Sequence, residues 1–267
     1  MRKRGAGWIL LLAAAVLLTG CSQEADTAGS GRLLSVGVRK NLANFSTYNE
    51  EADTYYGFED ALAEALADRL GYDGVSYTGL DPEDRETVLK SGQIDCLIAA
   101  FSYTDERAAA FNLSDPYYYD SGRVMVERST LFTDYGDLEG SRVAVRAGTD
   151  AKEQLADALT EESLISDAAE IDSFLEIVEY DRYEEMDQAL EYGDVDALCA
   201  DGCITLPWLD EERAYFAEPY SEEKYVIATA QGSTLTAQIN EALAELTADG
   251  TLAELENMWG IANEETE

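Results

Sequence analysis

The chain has 267 residues, enough for two α/β lobes of about 100 residues each. Its 55 acidic residues against 18 basic ones give a net charge of −37, a surface that repels nucleic acid and anionic lipid headgroups and excludes both as partners. Histidine is absent, which removes Ser-His-Asp and Cys-His nucleophilic catalysis, His-ligated zinc and the commonest general base. No G-x-S-x-G, G-x-G-x-x-G or P-loop motif occurs either, so no cofactor and no metal are expected.

In chain order, Arg2, Lys3 and Arg4 precede an apolar run over 8–18, closed by Leu18-Thr19-Gly20-Cys21. A basic start, a short apolar region and small residues before the cut read as an export signal over 1–20, too short to stay as a membrane span. Cysteine at the cut makes it similar to a lipoprotein signal. Lipidation of Cys21 and an extracytoplasmic chain anchored to the cell membrane are therefore expected, with a plain secretory signal and an incidental Cys21 as the alternative. Residues 21–31 are polar and read as a flexible tether.

Residues 33–38 read as a buried strand, and 58–70 as a helix with Phe58, Leu62, Leu66 and Leu70 four apart and Gly71 as its stop. A strand over 75–77, a helix over 84–90 and a strand over 94–100 continue the alternation, which predicts a parallel sheet. A second α/β series begins near Val124, with strands over 124–127, 142–146, 174–180 and 195–200 and helices over 150–159 and 183–192. The chain then runs through a strand over 225–230 and helices over 234–248 and 252–259.

Chemistry-bearing residues gather where strands end. In open α/β sheets ligands sit outside the carboxyl ends of strands. Ser102, Thr104 and Arg107 follow the strand over 94–100 and suit a carboxylate, although Arg107 could also be a solvated arginine at a helix start. Gly148-Thr149 offers free amides at a helix N-terminus, or merely starts that helix. Asp201 ends the apolar strand over 195–200, as a site carboxylate or as one more loop aspartate. Cys96 and Cys199 read as buried free thiols, with a Cys199–Cys203 disulfide left open. Asp194-Val195-Asp196 lacks the spaced ligands of a calcium loop.

The order SGxID, apolar strand, SxTxxR, FxLSxPYY over 91–119 resembles the family 3 extracellular solute-binding proteins, the amino-acid receptors of bacterial ABC importers. Supporting pieces are GFEDALAEALADRLG at 57–71, DLEGSRVAVRAGTD at 137–150, EYGDVDALCADG at 191–202 and LAELTADGTLAELENMW at 243–259. The resemblance implies an α/β, two-lobed, periplasmic-binding-protein-like (type II) fold. Lobe 1 would comprise 32–120 plus 224–267 and lobe 2 121–223, with a two-strand hinge near 119–122 and 221–224. It implies that Arg107 and Ser102, with Gly148 and Thr149, hold the α-carboxylate of a free amino acid. Asp201 and the carbonyl of Ala100 would take its ammonium, and a permease and an ATPase would be the partners of a monomeric receptor.

The chain departs from the family's pattern at Arg39, where receptors for cationic amino acids carry an acidic residue, and at Leu42, where they carry an aromatic. Asn44-Phe45 replaces the usual Pro-Phe, and Asp60-Ala61 replaces an apolar-acidic pair. With Arg146 also at the cleft by family position, the ligand's side chain is expected to be polar or acidic, unless Arg39 pairs with Glu59 or Asp60. Phe45, Phe101, Tyr48 and Tyr77 are candidate walls, the tyrosines at 117–119 are expected to pack at the hinge, and Lys40 to be solvated. Two alternative functions are a carboxylate-dependent dehydratase on the same fold and an extracellular ligand-sensing module.

Overall fold

The computed structural model describes residues 31–261; the export signal, Cys21 and all of the tether but Gly31 lie outside the described residues. From Gly31 onward the chain forms one compact unit. Strand β1 (Leu33–Arg39) is apolar and buried nearly throughout, because it lies between two parallel neighbours. A three-stranded meander follows, β2 (Asn41–Leu42), β3 (Ser46–Asn49) and β4 (Thr54–Tyr56), whose pieces are too short to show alternation in the sequence. Gly57 then turns the chain at φ 155°, where an added Cβ would stand 2.1 Å from the Phe45 carbonyl oxygen. This close approach seats Phe45 against the start of α1 (Phe58–Arg69), which buries Phe58, Leu62 and Leu66, and also Glu59 and Asp60.

Next come β5 (Gly74–Leu80), α2 (Arg85–Ser91), β6 (Cys96–Leu97) and α3 (Asp105–Ala110). The strand expected over 94–100 is shorter than predicted because Ala100 adopts φ 45°, which turns the backbone out of the ladder toward the Glu59 carboxyl. The opposite holds for β7 (Phe111–Glu127), a 17-residue strand where only 124–127 was expected. The second half adds β8 (Arg142–Arg146), α4 (Ala151–Glu161), α5 (Ile171–Phe174), β9 (Glu176–Tyr180), α6 (Tyr183–Glu191), β10 (Ala197–Asp201), α7 (Gly202–Thr205) and β11 (Arg213–Tyr215). The chain closes with β12 (Ser221–Ala230), α8 (Leu235–Ala248) and α9 (Thr251–Trp259).

The main sheet runs β5-β1-β6-β12-β7-β10-β8-β9, with β11 beside β7. Its two flanks, β5-β1-β6 and β10-β8-β9, are parallel as the alternation predicts. The centre is not: β7 and β12 run antiparallel, from Phe111 opposite Ala230 to Gly122 opposite Ser221. Pro116 is accommodated there because the β7–β12 register shifts on either side of Val226. The segments predicted to cross near 119–122 and 221–224 thus pair with one another.

Three apolar clusters hold these layers. One gathers Leu34, Phe58, Leu62 and Leu243 and continues to Met186 and Leu198; a second packs Val143, Leu155 and Leu159; a third sets Leu89, Leu97 and Phe101 under β12. Each fully buried leucine or phenylalanine contributes about 1.5–3 kcal/mol. Cys96, Cys199 and Cys203 are free thiols, which closes the question of a Cys199–Cys203 bridge. Among the described residues no helix is long and apolar enough to cross a membrane.

Candidate functional site

The carboxyl ends of β1, β8 and β10 bring Arg39, Arg146 and Asp201 to one cavity, and the turn after β6 adds Ala100 and Ser102. From α2 comes Arg85, and from the turn before α4 come Thr149 and Asp150. The cavity measures about 20 Å³, room for about one water, so the two parallel flanks stand closed over it.

The acidic side is Asp201. Burial pushes its carboxyl well above the usual range, helped by the negative charges of Glu223 and Asp120. The Tyr225 hydroxyl donates to it, and no cation pairs with it among the described residues. Asp120 accepts from the Cys203 amide at 3.0 Å, and Glu223 from the Ser221 hydroxyl at 2.7 Å, so three acids cluster where β7, β10 and β12 meet. A group of this kind gains from an incoming cation, which would offset the cost of ionising Asp201 away from water.

The cationic side begins with Arg107. Its backbone amide caps onto Thr104 Oγ1, its guanidinium donates to the Ser102 carbonyl at 2.8 Å, and its charge lies 4.3 Å above the Phe101 ring. The guanidinium also reaches Oδ2 of Asp150, which lines the cavity, at 3.2 Å. Asp150 is the N-cap of α4 by position but spends its carboxylate on Arg107 rather than on the helix's own amides. Thr149 Oγ1 turns back to the Arg146 carbonyl at 2.7 Å, and Gly148 adopts φ 73° with its Cα packed on Glu83.

Three further arginines are buried around the same cavity. Arg85 donates to the carbonyls of Pro82, Ala99 and Ala100 at 3.1, 2.9 and 2.8 Å. Burial first, then repulsion from Arg39 and Arg107, pulls its pKa down to about 10, which still leaves it charged at neutral pH. Arg39 is 1% exposed and finds no hydrogen-bond partner for Nε or Nη2. Arg146 is 3% exposed, with Nη1 on the Ala147 carbonyl at 2.7 Å and Nε unpartnered.

The structure therefore brings Arg39, Ala100, Ser102, Arg146, Thr149 and Asp201 together as cavity lining, with Arg107 and Gly148 beside them. Two predicted walls are corrected. Phe45 is fully buried against Phe58, Tyr118 and Tyr225, because Gly57 draws its backbone into the core. Phe101 is fully buried behind Arg107 and Arg85 and offers its face to them rather than to the cavity. Tyr77 donates to the Asp60 carbonyl, and Lys40 pairs with Asp81 at 2.6 Å on the surface. Arg39 pairs with neither Glu59 nor Asp60: Glu59 accepts from the Ala100 amide and the Tyr117 hydroxyl, and Asp60 from the Ser46 hydroxyl. The Ala100 carbonyl, expected to receive an ammonium, receives Arg85. Arg85 escaped the sequence reading as a residue of a charged helix start. Its signal was the four-residue spacing to buried Leu89, which puts both on the inward face of α2. Among the described residues no group of three or more acids or thiols is placed to hold a metal; Asp196 instead binds Arg142 at 2.9 Å.

The sequence profile of the bacterial extracellular solute-binding proteins, family 3, matches residues 34–262. The ABC transporter glutamine-binding protein GlnH of Bacillus subtilis is 26% identical over 229 residues, 84% of this chain and 79% of GlnH. The arginine-binding extracellular protein ArtP of the same organism is 27% identical over 260 residues, 94% of this chain and 97% of its own. Among solved structures, an ancestral arginine-binding protein bound to arginine superposes with a TM-score of 0.73 at 27% identity, covering 85% of this chain and 97% of that one.

Proposed function

We propose that this chain, which belongs to family 3 of the bacterial extracellular solute-binding proteins, captures one free amino acid in the cleft between two lobes and delivers it to an ABC importer's permease. The fold is the two-lobed type II form of its structural relatives. The lobes would divide at 120–121 and 223–224, where β7 and β12 pair, with lipid on Cys21 keeping the receptor at the membrane.

The observation that carries this reading is the buried, cation-free carboxyl of Asp201 lining a cavity that Ser102 also lines, with Arg107 beside it on Ser102 and Asp150. A zwitterion has one group for each. Its ammonium would relieve Asp201, and its carboxylate would displace Asp150 from Arg107 and meet the backbone turn at Thr149. Asp201 and Thr149 belong to one flank of the sheet, Arg107 and Ser102 to the other. A ligand that touches both favours the closed arrangement over an open one by its differential contacts, so closure is a population shift. The arginines around the cavity favour a polar or acidic side chain. Delivery to a transporter, rather than catalysis, agrees with relatives that are named as binding proteins.

The test is a thermal-shift screen of the unit Gly31–Glu267 against the common amino acids and cystine. A ligand at a hundred times its dissociation constant adds about 2.7 kcal/mol of stability. A screen in which no amino acid moves the transition would overturn the reading.

A further inference from the structure

Arg39, Arg85 and Arg146 are the largest unexplained feature of the cavity. An α-carboxylate and an α-ammonium are served by Arg107 and Asp201, so three more guanidinium groups have no assigned role toward the ligand. A buried cation is retained at a cost of several kcal/mol unless an anion or a full set of acceptors compensates it.

Asp150 is held by Arg107, and Asp201 by the Tyr225 hydroxyl. Glu59 lies within electrostatic reach of Arg39 and Arg85; its Oε1 accepts from the Ala100 amide and the Tyr117 hydroxyl, its Oε2 is buried without a hydrogen-bond partner, and burial raises its pKa, which weakens it as a counterion. Glu83 stands 3.8 Å from Arg146 and is 53% exposed, too far and too wet to neutralise it. Among the described residues neither Arg39 nor Arg85 has an ion pair. Arg85 spends its donors on carbonyls, which orients the charge without cancelling it.

The unpartnered donors belong to residues that line one cavity. Arg39 Nε and Nη2 and Arg146 Nε are buried and unpartnered, and both residues line the cavity from strand ends on opposite flanks of the sheet. We infer that Arg39 and Arg146, with Arg85 supplying buried charge beside them, form a second anion subsite that selects an amino acid whose side chain ends in an acid group. A carboxylate suits two guanidinium forks, and a sulfonate presents the same charge and acceptors. The inference rests on the amino-acid-capture reading and names its ligand class. It also separates this chain from its glutamine- and arginine-binding relatives, since a cationic side chain would add a further positive charge to the cluster.

The experiment is calorimetric titration of the unit Gly31–Glu267 with L-glutamate, L-aspartate, L-cysteate, L-glutamine, L-asparagine and L-arginine. An acid should bind about thirtyfold or more tighter than its amide, the factor for leaving buried charges unpaired. Arg39→Gln and Arg146→Gln should each lower that ratio by about tenfold or more, with Arg85→Gln acting in the same direction. The wild-type ranking decides even if a variant fails to fold. Amides or arginine binding as tightly as the acids, or variants weakening acid and amide alike, would overturn the second subsite while leaving amino-acid capture intact. Binding of none of the six, with no hit in the wider screen, would remove the capture reading and this inference with it.

Discussion

Replacing Asp150 with asparagine should tighten ligand binding. In the closed cleft Asp150 Oδ2 occupies the Arg107 guanidinium at 3.2 Å, so an incoming α-carboxylate must share or displace it. Two unit negative charges about 4 Å apart repel by about 4 kcal/mol at an effective dielectric of 20. The Asp150 side chain is 24% exposed, and Arg107 lies between the two charges, so screening reduces the net penalty to about 1–2 kcal/mol. Asp150→Asn should therefore raise affinity about tenfold. The fold should tolerate it, because Asp150 makes no side-chain cap bond to α4 and asparagine serves equally well at an N-cap. Isothermal titration of wild type and variant against the same amino acid, at low and high salt, reads the effect, with the gain shrinking as salt rises. A tenfold loss would instead make Asp150 a direct ligand contact, and an affinity unchanged at low salt would mean that it does not compete for Arg107.

Arg107→Ala should weaken the ligand by about 2–5 kcal/mol, the usual cost of stripping one partner from a buried charge pair, read by the same titration. Gly148→Ala forces φ 73° on a residue with a Cβ that would lie 2.9 Å from the Glu83 backbone nitrogen. It should cost about 1–2 kcal/mol in thermal unfolding and lower ligand affinity, since Gly148 and Glu83 meet across the cleft. Burial pushes Asp60 up to about 7, above the unfolded value of about 3.9. The folded state then holds the proton more tightly, so Asp60's contribution falls as pH rises from about 4 to about 7. Asp60→Asn should accordingly exceed wild type in urea unfolding at pH 8, by up to about 4 kcal/mol, with the gap narrowing at pH 5; a gap that widens on acidification would contradict the assignment.

The parallel flanks were legible because apolar runs such as Leu33–Arg39 and Ala197–Asp201 alternate with helical stripes. What the alternation concealed was the centre of the sheet. Pro116 and the polar residues at 120–123 break the strand pattern of β7, and only pairing with β12 supplies the reason to stay extended. The site was legible where chemistry sits at a strand end, as at Arg39, Arg146 and Asp201. It was illegible where a charged side chain faces inward from a polar helix, as at Arg85, Glu59 and Asp60. Aromatics misled for a related reason: Phe45 and Phe101 follow strand ends as cavity walls do, yet a tight glycine turn and two stacked arginines draw them into the interior.

The central claim is a zwitterion gripped at both ends, and a crystal structure of the unit Gly31–Glu267 with its tightest-binding amino acid tests it most directly. The account predicts the α-carboxylate on the Arg107 guanidinium with Asp150 displaced, and the α-ammonium within hydrogen-bonding distance of an Asp201 carboxylate oxygen. A bound amino acid whose ammonium and carboxylate make their contacts elsewhere, with the Arg107–Asp150 pair and the Asp201–Tyr225 bond both left intact, would contradict it.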